Sequence, residues 1–252
     1  MRNHMMLWAG LVATGCGDYV GATGELGMMS YGLSTDYEID GGLTDVSLIT
    51  GHSQRFNVSL TDDGESDARK PWLITHTVTP NDGTSLVVDD SAEGDEHVPD
   101  FSLMVTNPDL YILESYYDGE LLDYIKLDFA QPDTLEILTW IRNPNADAFT
   151  ASTFDASVPV EEGTQVALLP IPYFEGERLA GDFTVSYDHT PAHAAVTVHN
   201  VTGVYEEEGV MGQVNSSSLV FIEPATVEVS VTDAANGVTA VRTFDVSAAS
   251  SR

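Results

Sequence analysis

The sequence predicts an all-β fold made of two β-sandwich domains in tandem. Short runs of alternating apolar and polar residues are rich in Val, Ile, Thr and Phe, and Pro, Asn, Asp and Gly separate them. Hairpins are indicated at Asp118-Gly119 and Asn236-Gly237, because both central residues of a type I′ turn need positive φ. The third observation is that the second half of the chain repeats the first.

Length and composition are compatible with this fold. A chain of 252 residues can hold one large or two ordinary domains. Hydrophobic residues make up 42% and aromatic residues 9%, which is typical of a folded chain rather than a disordered one. No segment shows a sustained helical stripe.

The charge balance excludes one class of partner. Asp and Glu number 40 against 9 Lys and Arg, which gives a formal net charge of -31. Nucleic-acid binding depends on Lys and Arg neutralising phosphates, so we expect no nucleic-acid partner. Two interpretations of the acidic surface stay open, namely a solvated surface suited to a salty medium and the binding of divalent cations.

The first residues are typical of a secretory signal peptide spanning residues 1–15. Arg2 supplies the positive start, residues 5–13 form a short apolar stretch, and small residues follow. That stretch is too short to cross a bilayer, which takes about 20 apolar residues. The alternative is a buried N-terminal strand or helix.

The signal ends in Ala13-Thr14-Gly15-Cys16, which resembles the lipobox of bacterial lipoproteins. The resemblance implies cleavage before Cys16, lipid on its sulfur, acylation of its amino group and attachment to a membrane. Cys16 is the only cysteine, so an internal disulfide is impossible. Gly17 stands where inner-membrane lipoproteins of enteric bacteria carry Asp, and the resemblance therefore favours the outer membrane over the inner one.

The stretch after the cysteine is rich in Gly, Ser, Thr and Asp. We predict a lipidated N-terminus and flexible tether over residues 16–42. The alternative is that part of it pairs as an edge strand.

The five strand-like runs that follow lie at residues 46–50, 55–60, 72–79, 85–88 and 101–106. Their repeat in the second half is offset by about 111 residues. Thus Trp72 to Pro80 matches Phe183 to Pro191, with both segments ending in Thr-Pro, and Pro108 matches Pro224.

The repeat predicts one β-sandwich over residues 43–145 and another over residues 146–248. The run at residues 135–143 could close the first sandwich or open the second. The strand spacing and final hairpins resemble bacterial immunoglobulin-like domains. That resemblance implies a large aromatic residue between the sheets, and Trp72 and Phe183 are the residues expected there.

A search for enzymatic motifs predicts no enzyme. The sequence has no Gly-x-Ser-x-Gly elbow, no cysteine beyond Cys16 and no phosphate-binding loop. His189, His193 and His199 are close in sequence, but they lack a recognisable zinc-ligand spacing. A hydrolase with carboxylates brought together by the fold stays open as an alternative.

Calcium is the one cofactor that the composition suggests, since it takes six to eight oxygen ligands and acidic loops can supply them. Solvated turns are the alternative interpretation. The candidate ligands are Asp62, Asp63, Glu65, Asp67, Asp89, Asp90 and Asp95.

Tyr116 and Tyr117 precede the first hairpin turn and are candidate glycan contacts, because one of two adjacent strand residues must face away from the core. The sequence therefore favours a non-enzymatic, membrane-anchored envelope lipoprotein with a structural or binding role and an envelope protein or glycan as partner. A calcium-dependent adhesin or glycan-binding protein is the alternative.

Overall fold

The computed structural model describes residues 18–35, 41–61, 70–88, 98–146, 149, 151–198, 204–207, 210–213 and 218–249. These residues form β-strands and a single 3-10 turn at Pro71–Leu73. The strands of the first half are β1 (Asp18–Thr23), β2 (Met29–Thr35), β3 (Ser47–Ile49), β4 (Ser53–Leu60), β5 (Ile74–Thr79), β6 (Thr84–Val88), β7 (Phe101–Val105), β8 (Asp109–Tyr117) and β9 (Glu120–Ala130). Those of the second half are β10 (Thr134–Arg142), β11 (Ala151–Thr153), β12 (Ser157–Glu161), β13 (Gln165–Phe174), β14 (Glu177–Arg178), β15 (Ser186–Thr190), β16 (Ala195–Val198), β17 (Val204–Glu207), β18 (Val210–Gln213), β19 (Ser218–Phe221), β20 (Thr226–Asp233) and β21 (Val238–Ser247).

The first sandwich packs the sheet β1-β2-β4-β7-β6 against the sheet β3-β9-β8-β5. Alternation along each strand turns every second side chain inward, as on β4, where Phe56 and Val58 are buried. The largest buried side chains are aromatic, and they include the stacked pair Phe56 and Phe101 and the edge-to-face pair Tyr111 and Phe129. Aromatic packing therefore fills the space between these two sheets.

The second sandwich packs the sheet β11-β10-β13-β19-β16, with β14 added on β13, against the sheet β12-β21-β20-β15. Its core is smaller and centres on the ring contact between Phe221 and Phe244. The strands β17 and β18 pair only with each other within the described part of the chain.

The two sandwiches share one strand plan, which confirms the prediction of an all-β chain with two β-sandwiches in tandem. In each, a short strand pairs in parallel with the last long strand, β3 with β9 and β12 with β21. Gly51 and Gly163 follow those short strands with φ of 79° and 87°, a conformation that favours glycine. The predicted match of residues 72–80 with 183–191 corresponds to β5 and β15, each followed by a cis Thr-Pro bond.

The predicted tether does not hold for residues 18–35. They form the β1–β2 hairpin, and β2 pairs with β4 along the first sandwich. Met29, Tyr31 and Leu33 are fully buried, with the period-2 spacing of a half-buried strand. Burial of these side chains outweighs the flexibility that the surrounding Gly and Ser residues suggest, so the edge-strand alternative describes this stretch.

The run at residues 135–143 opens the second sandwich. Its residues 135–142 lie in β10, which pairs with β13 along its whole length. The predicted boundary after residue 145 would assign β10 to the first sandwich and its partner β13 to the second. The chain passes from one sandwich to the other between Ala130, the last residue of β9, and Thr134, the first of β10.

The expected core positions of Trp72 and Phe183 are wrong. Trp72 is half-buried in the 3-10 turn before β5, and Phe183 is half-buried in the irregular segment before β15. Each precedes the strand itself, so strand alternation does not direct it between the sheets. The central inward position on β5 is occupied by His76, which contacts Phe101 with ring centroids 4.7 Å apart.

Candidate functional site

The most extensive set of long-range polar contacts lies at the joint between the two sandwiches. Backbone pairing continues across it, because Ala180 N donates to Ser47 O at 2.9 Å and Ile49 N donates to Ala180 O at 3.0 Å. Ile49, Ala130 and Leu179 are buried beneath this pairing, and Phe183 packs against them. The second sandwich therefore extends a sheet of the first through its own backbone.

Asp233 is the polar centre of the joint and is fully buried at the end of β20. Its carboxylate accepts hydrogen bonds from the backbone N–H of Ala235 and from Asn236 Nδ2, which shapes the β20–β21 turn. It also lies 3.0 Å from His52 Nε2 of the first sandwich. Because His52 Nδ1 accepts from Thr184 N at 3.4 Å, Nε2 carries the proton and donates to Asp233.

Further side chains cross the joint. Gln54 is fully buried, with its amide oxygen accepting from Asp182 N at 2.7 Å and its amide nitrogen donating to Asp182 O at 2.9 Å. Asn236 Nδ2 donates to Thr50 O at 2.9 Å. Gly181 is required beside Gln54, because its φ is 117° and a Cβ there would overlap the Gln54 side chain.

A groove of about 700 Å³ opens beside the joint. The chain before β3 forms one wall, and the β13–β14 hairpin forms the other. Glu175 and Gly176 both have positive φ, so this hairpin has a two-residue type I′ turn. The sequence did not predict it, because Glu-Gly is not one of the Asn-Gly or Asp-Gly pairs that favour such a turn. The turn is braced by Asp133, whose pKa is lowered because its carboxylate accepts the backbone N–H of Glu175.

Tyr116 and Tyr117 lie at the end of the first sandwich away from the joint. Tyr117 packs against the core, and its hydroxyl accepts from Lys70 N at 3.3 Å. Tyr116 interacts with Glu114 and Thr77. Tyr116 is therefore the member of the pair with which a glycan contact could be made.

Most of the other residues singled out in the sequence lie outside the described part of the chain. Cys16 and the seven candidate calcium ligands lie outside the described residues. His189 Nε2 bonds to Ala195 O at 3.0 Å, His193 lies 3.9 Å from Glu223, and His199 is also outside the described range. Among the described residues, no three His, Cys, Asp or Glu side chains are grouped as metal ligands.

A serine and a histidine do meet in the first sandwich, and sequence motifs did not reveal them. Ser115 Oγ lies 2.9 Å from His76 Nδ1 and 2.6 Å from the Tyr31 hydroxyl. Desolvation lowers the pKa of His76 to about 4 and raises that of Tyr31. Ser115 is fully buried and does not line the groove beside the joint, so the arrangement is a core hydrogen-bond network.

Comparisons with solved structures find distant β-sandwich proteins. No protein-family model and no curated protein matches the sequence. The adhesin FdeC of Escherichia coli is 13% identical, with a TM-score of 0.29, and the match covers 81% of this chain and 62% of FdeC. Domains 5–6 of the S-layer protein SbsC are 10% identical, with a TM-score of 0.33 and coverage of 92% of this chain and 100% of that one.

A fragment of intimin, solved in complex with the intimin-binding domain of its translocated receptor, is 12% identical with a TM-score of 0.26. That match covers 78% of this chain and 60% of the fragment. All three likenesses are too low for their binding partners or assemblies to be argued for this chain. The chain spans less than two thirds of the length of the FdeC and intimin structures.

Proposed function

We propose that this chain is a non-enzymatic protein of the bacterial cell envelope, anchored in a membrane through lipid on Cys16 and serving a structural or binding role. The joint between the two sandwiches is the observation that supports a structural role. Backbone pairing, buried apolar side chains and the bonds of His52 and Gln54 connect the sandwiches directly. Such a joint would hold the β8–β9 hairpin at a set position relative to the second sandwich.

The anchor is supported by the lipobox-like residues and by the position of the first strand. β1 begins at Asp18, the second residue after Cys16, and is paired into the first sandwich. A lipid on Cys16 would therefore hold the folded body close to the bilayer, without a long tether. None of the described residues forms a helix with the length and apolarity needed to cross a bilayer.

The anchor is tested by labelled fatty-acid incorporation in the full chain and in Cys16→Ala. We expect label in the wild type, none in Cys16→Ala, and release of that variant from the membrane fraction, because two or three acyl chains are needed for firm attachment. The control is Thr14→Ala, which keeps a small residue before the cysteine. Equal labelling of the wild type and Cys16→Ala would refute the anchor.

The non-enzymatic role is tested separately, on purified protein, with a panel of envelope glycans and esters. We expect no turnover and expect an affinity pull-down from envelope extracts to retain a specific partner. Turnover that persists after further purification and is lost on substitution of a carboxylate would establish the hydrolase alternative instead.

An adhesin that binds glycans is the second candidate, favoured by the outward position of Tyr116. Replacing an aromatic residue that stacks on a sugar face removes dispersion contacts and buried apolar area. We therefore expect Tyr116→Ala to lose any signal on a glycan array while Tyr124→Ala, on the neighbouring strand, keeps it. A blank array for the wild type, together with a melting temperature that chelation leaves unmoved, would rule out this candidate and its calcium-dependent form.

A further inference from the structure

Asn236-Gly237 is the only Asn-Gly pair in the chain, and it lies at the joint. Asn236 is in the four-residue turn between β20 and β21, and its side chain contacts Thr50 of the first sandwich. Asparagine is among the chemically labile residues, and a glycine after it has no Cβ to obstruct attack of its nitrogen on the side-chain amide. A reactive pair therefore stands at a structural contact.

The side-chain amide of Asn236 is held by three hydrogen bonds. Its Nδ2 donates to Thr50 O at 2.9 Å and to Asp233 Oδ2 at 2.8 Å, and its Oδ1 accepts from Thr50 Oγ1 at 3.2 Å. A carbonyl and a carboxylate oxygen both accept, so this position must carry the NH₂ group. The contact with the first sandwich therefore requires an amide, which a carboxylate cannot replace.

The nitrogen that would attack this amide is also engaged. Gly237 N donates to Asp233 O at 2.9 Å. In the closed joint both reacting groups are thus committed to other bonds, and the reaction needs the turn to be released from Thr50 and Asp233. Local opening of this kind costs less free energy than global unfolding, so it can occur in a chain that is otherwise folded.

We propose that Asn236 is a hydrolytic modification site, that opening of the joint gates its deamidation, and that the product keeps the joint open. This inference goes beyond the proposed envelope role and does not depend on the lipid anchor.

Water is the only co-reactant of this deamidation. Gly237 N forms a bond to Asn236 Cγ and loses its proton, while the bond from Cγ to Nδ2 breaks and Nδ2 leaves as ammonia. Water then adds to one of the two carbonyls of the resulting succinimide ring and opens it. Opening at the side-chain carbonyl gives aspartate, and opening at the backbone carbonyl gives isoaspartate.

Either product places a negative charge where the joint already provides acceptors. The new carboxylate would face Thr50 O and the fully buried carboxylate of Asp233. Like charges in contact at a buried site repel each other strongly. Isoaspartate also adds a main-chain carbon to the turn. The original contact cannot form again, so the change is irreversible.

The first test follows Asn236 in the full chain by peptide mapping with mass spectrometry during incubation at mildly alkaline pH. We expect slow conversion to aspartate and isoaspartate in the wild type. His52→Ala with Gln54→Ala should convert at least about tenfold faster, because the closed joint protects the amide in proportion to its free energy of opening. Asn81, an exposed asparagine of the first sandwich, is the internal reference and should convert equally in both chains.

The second test examines the product. Asn236→Asp should show two calorimetric transitions in place of one, whereas Asn81→Asp, which adds the same charge at an exposed turn, should behave as the wild type. Wild type that has aged in solution was folded before it reacted. Ion-exchange separation of its converted fraction therefore gives the same comparison even if Asn236→Asp fails to fold.

Three results would overturn the proposal: no conversion of Asn236 in either chain, equal rates of conversion in the wild type and the double variant, or a converted chain that keeps a single transition. The second result would show that the closed joint does not protect the amide, and the third that the joint tolerates the new carboxylate.

Discussion

His76 occupies an inward position on β5, where an apolar side chain would ordinarily pack. Its ring contacts Phe101 and its Nδ1 meets Ser115, while its Nε2 has no partner among the described residues. A buried donor or acceptor without a bond costs about 1–3 kcal/mol, so the core tolerates His76 rather than being stabilised by it. The alternation from Ile74 to Val78 predicts that residue 76 faces inward, but not that Tyr31 and Ser115 meet it there.

The pKa of His76 makes a prediction about acid stability. The folded-state pKa of about 4 lies below the unfolded value of 6.5, so the unfolded state takes up the proton first. Stability is therefore fully present above about pH 6.5 and falls as the pH drops towards 4. We expect the free energy of unfolding to be about 2–3 kcal/mol lower at about pH 4.5 than at pH 7.5.

Carboxylates also titrate over this range, so the measurement is the difference in unfolding free energy between the wild type and His76→Phe, by urea denaturation at both pH values. Phe fills the same space beside Phe101 without titrating. The unfolding free energy of His76→Phe relative to that of the wild type should therefore be higher at low pH than at pH 7.5. His193→Phe, at a site whose side chain is 70% exposed, should show no such shift. Parallel behaviour of the wild type and His76→Phe would contradict the prediction.

At the scale of elements, the β1–β2 hairpin is attached to the first sandwich by Asp123. This fully buried carboxylate accepts from the backbone N–H groups of Leu26, Met28 and Met29, each at 2.8 Å. A Cβ at Gly24 would overlap the carboxylate, so the turn must have glycine there. These contacts explain why a Gly-rich stretch is ordered.

We expect Asp123→Asn to detach this hairpin. The amide NH₂ would face N–H donors in place of one carboxylate oxygen, which costs at least about 3 kcal/mol in lost charge-assisted bonds. Hydrogen exchange should accelerate at the amides of β1 and β2 and stay unchanged in the second sandwich. Asp188→Asn, at an exposed position on β15, is the control, and unchanged protection of β2 in Asp123→Asn would contradict the role of this carboxylate.

At the scale of the molecule, the joint decides whether the sandwiches behave as one unit. We expect His52→Ala with Gln54→Ala to remove the bonds that these two side chains make across it, costing about 2–4 kcal/mol at buried sites, and to leave each sandwich intact. Calorimetry should then resolve two transitions in place of one, and small-angle scattering should show a broader distribution of distances.

Gln131→Ala is the matched control, because Gln131 is exposed and makes one 3.4 Å bond across the joint to Asn236 O. A single transition with an unchanged denaturant slope in the double variant would show that the remaining contacts, among them the backbone pairing at Ala180, suffice to couple the sandwiches.

The net charge of -31 predicts a dependence on salt. Self-repulsion destabilises the folded chain, and the Debye length falls from about 30 Å at 0.01 M to about 3 Å at 1 M salt. The melting temperature should therefore rise by several degrees with NaCl over this range. MgCl₂ and CaCl₂ at equal ionic strength are the comparison: a larger rise with CaCl₂ alone indicates a specific calcium site, and no rise with any salt contradicts the argument.

The sequence by itself determined the all-β class, the repeat, many of the strands and the positions of the hairpins at Asp118-Gly119 and Asn236-Gly237. Only the first of these turns has both residues at positive φ, because four residues connect β20 to β21 at the second. These signals act between near neighbours, through alternation and turn geometry. Only the tertiary structure decided the contacts of Asp123 with Leu26, of Gln54 with Asp182 and of His52 with Asp233, which join residues 97, 128 and 181 positions apart. The physical reason is that burial gives these polar groups their partners, and which residues are buried together depends on how the sheets pack rather than on spacing along the chain.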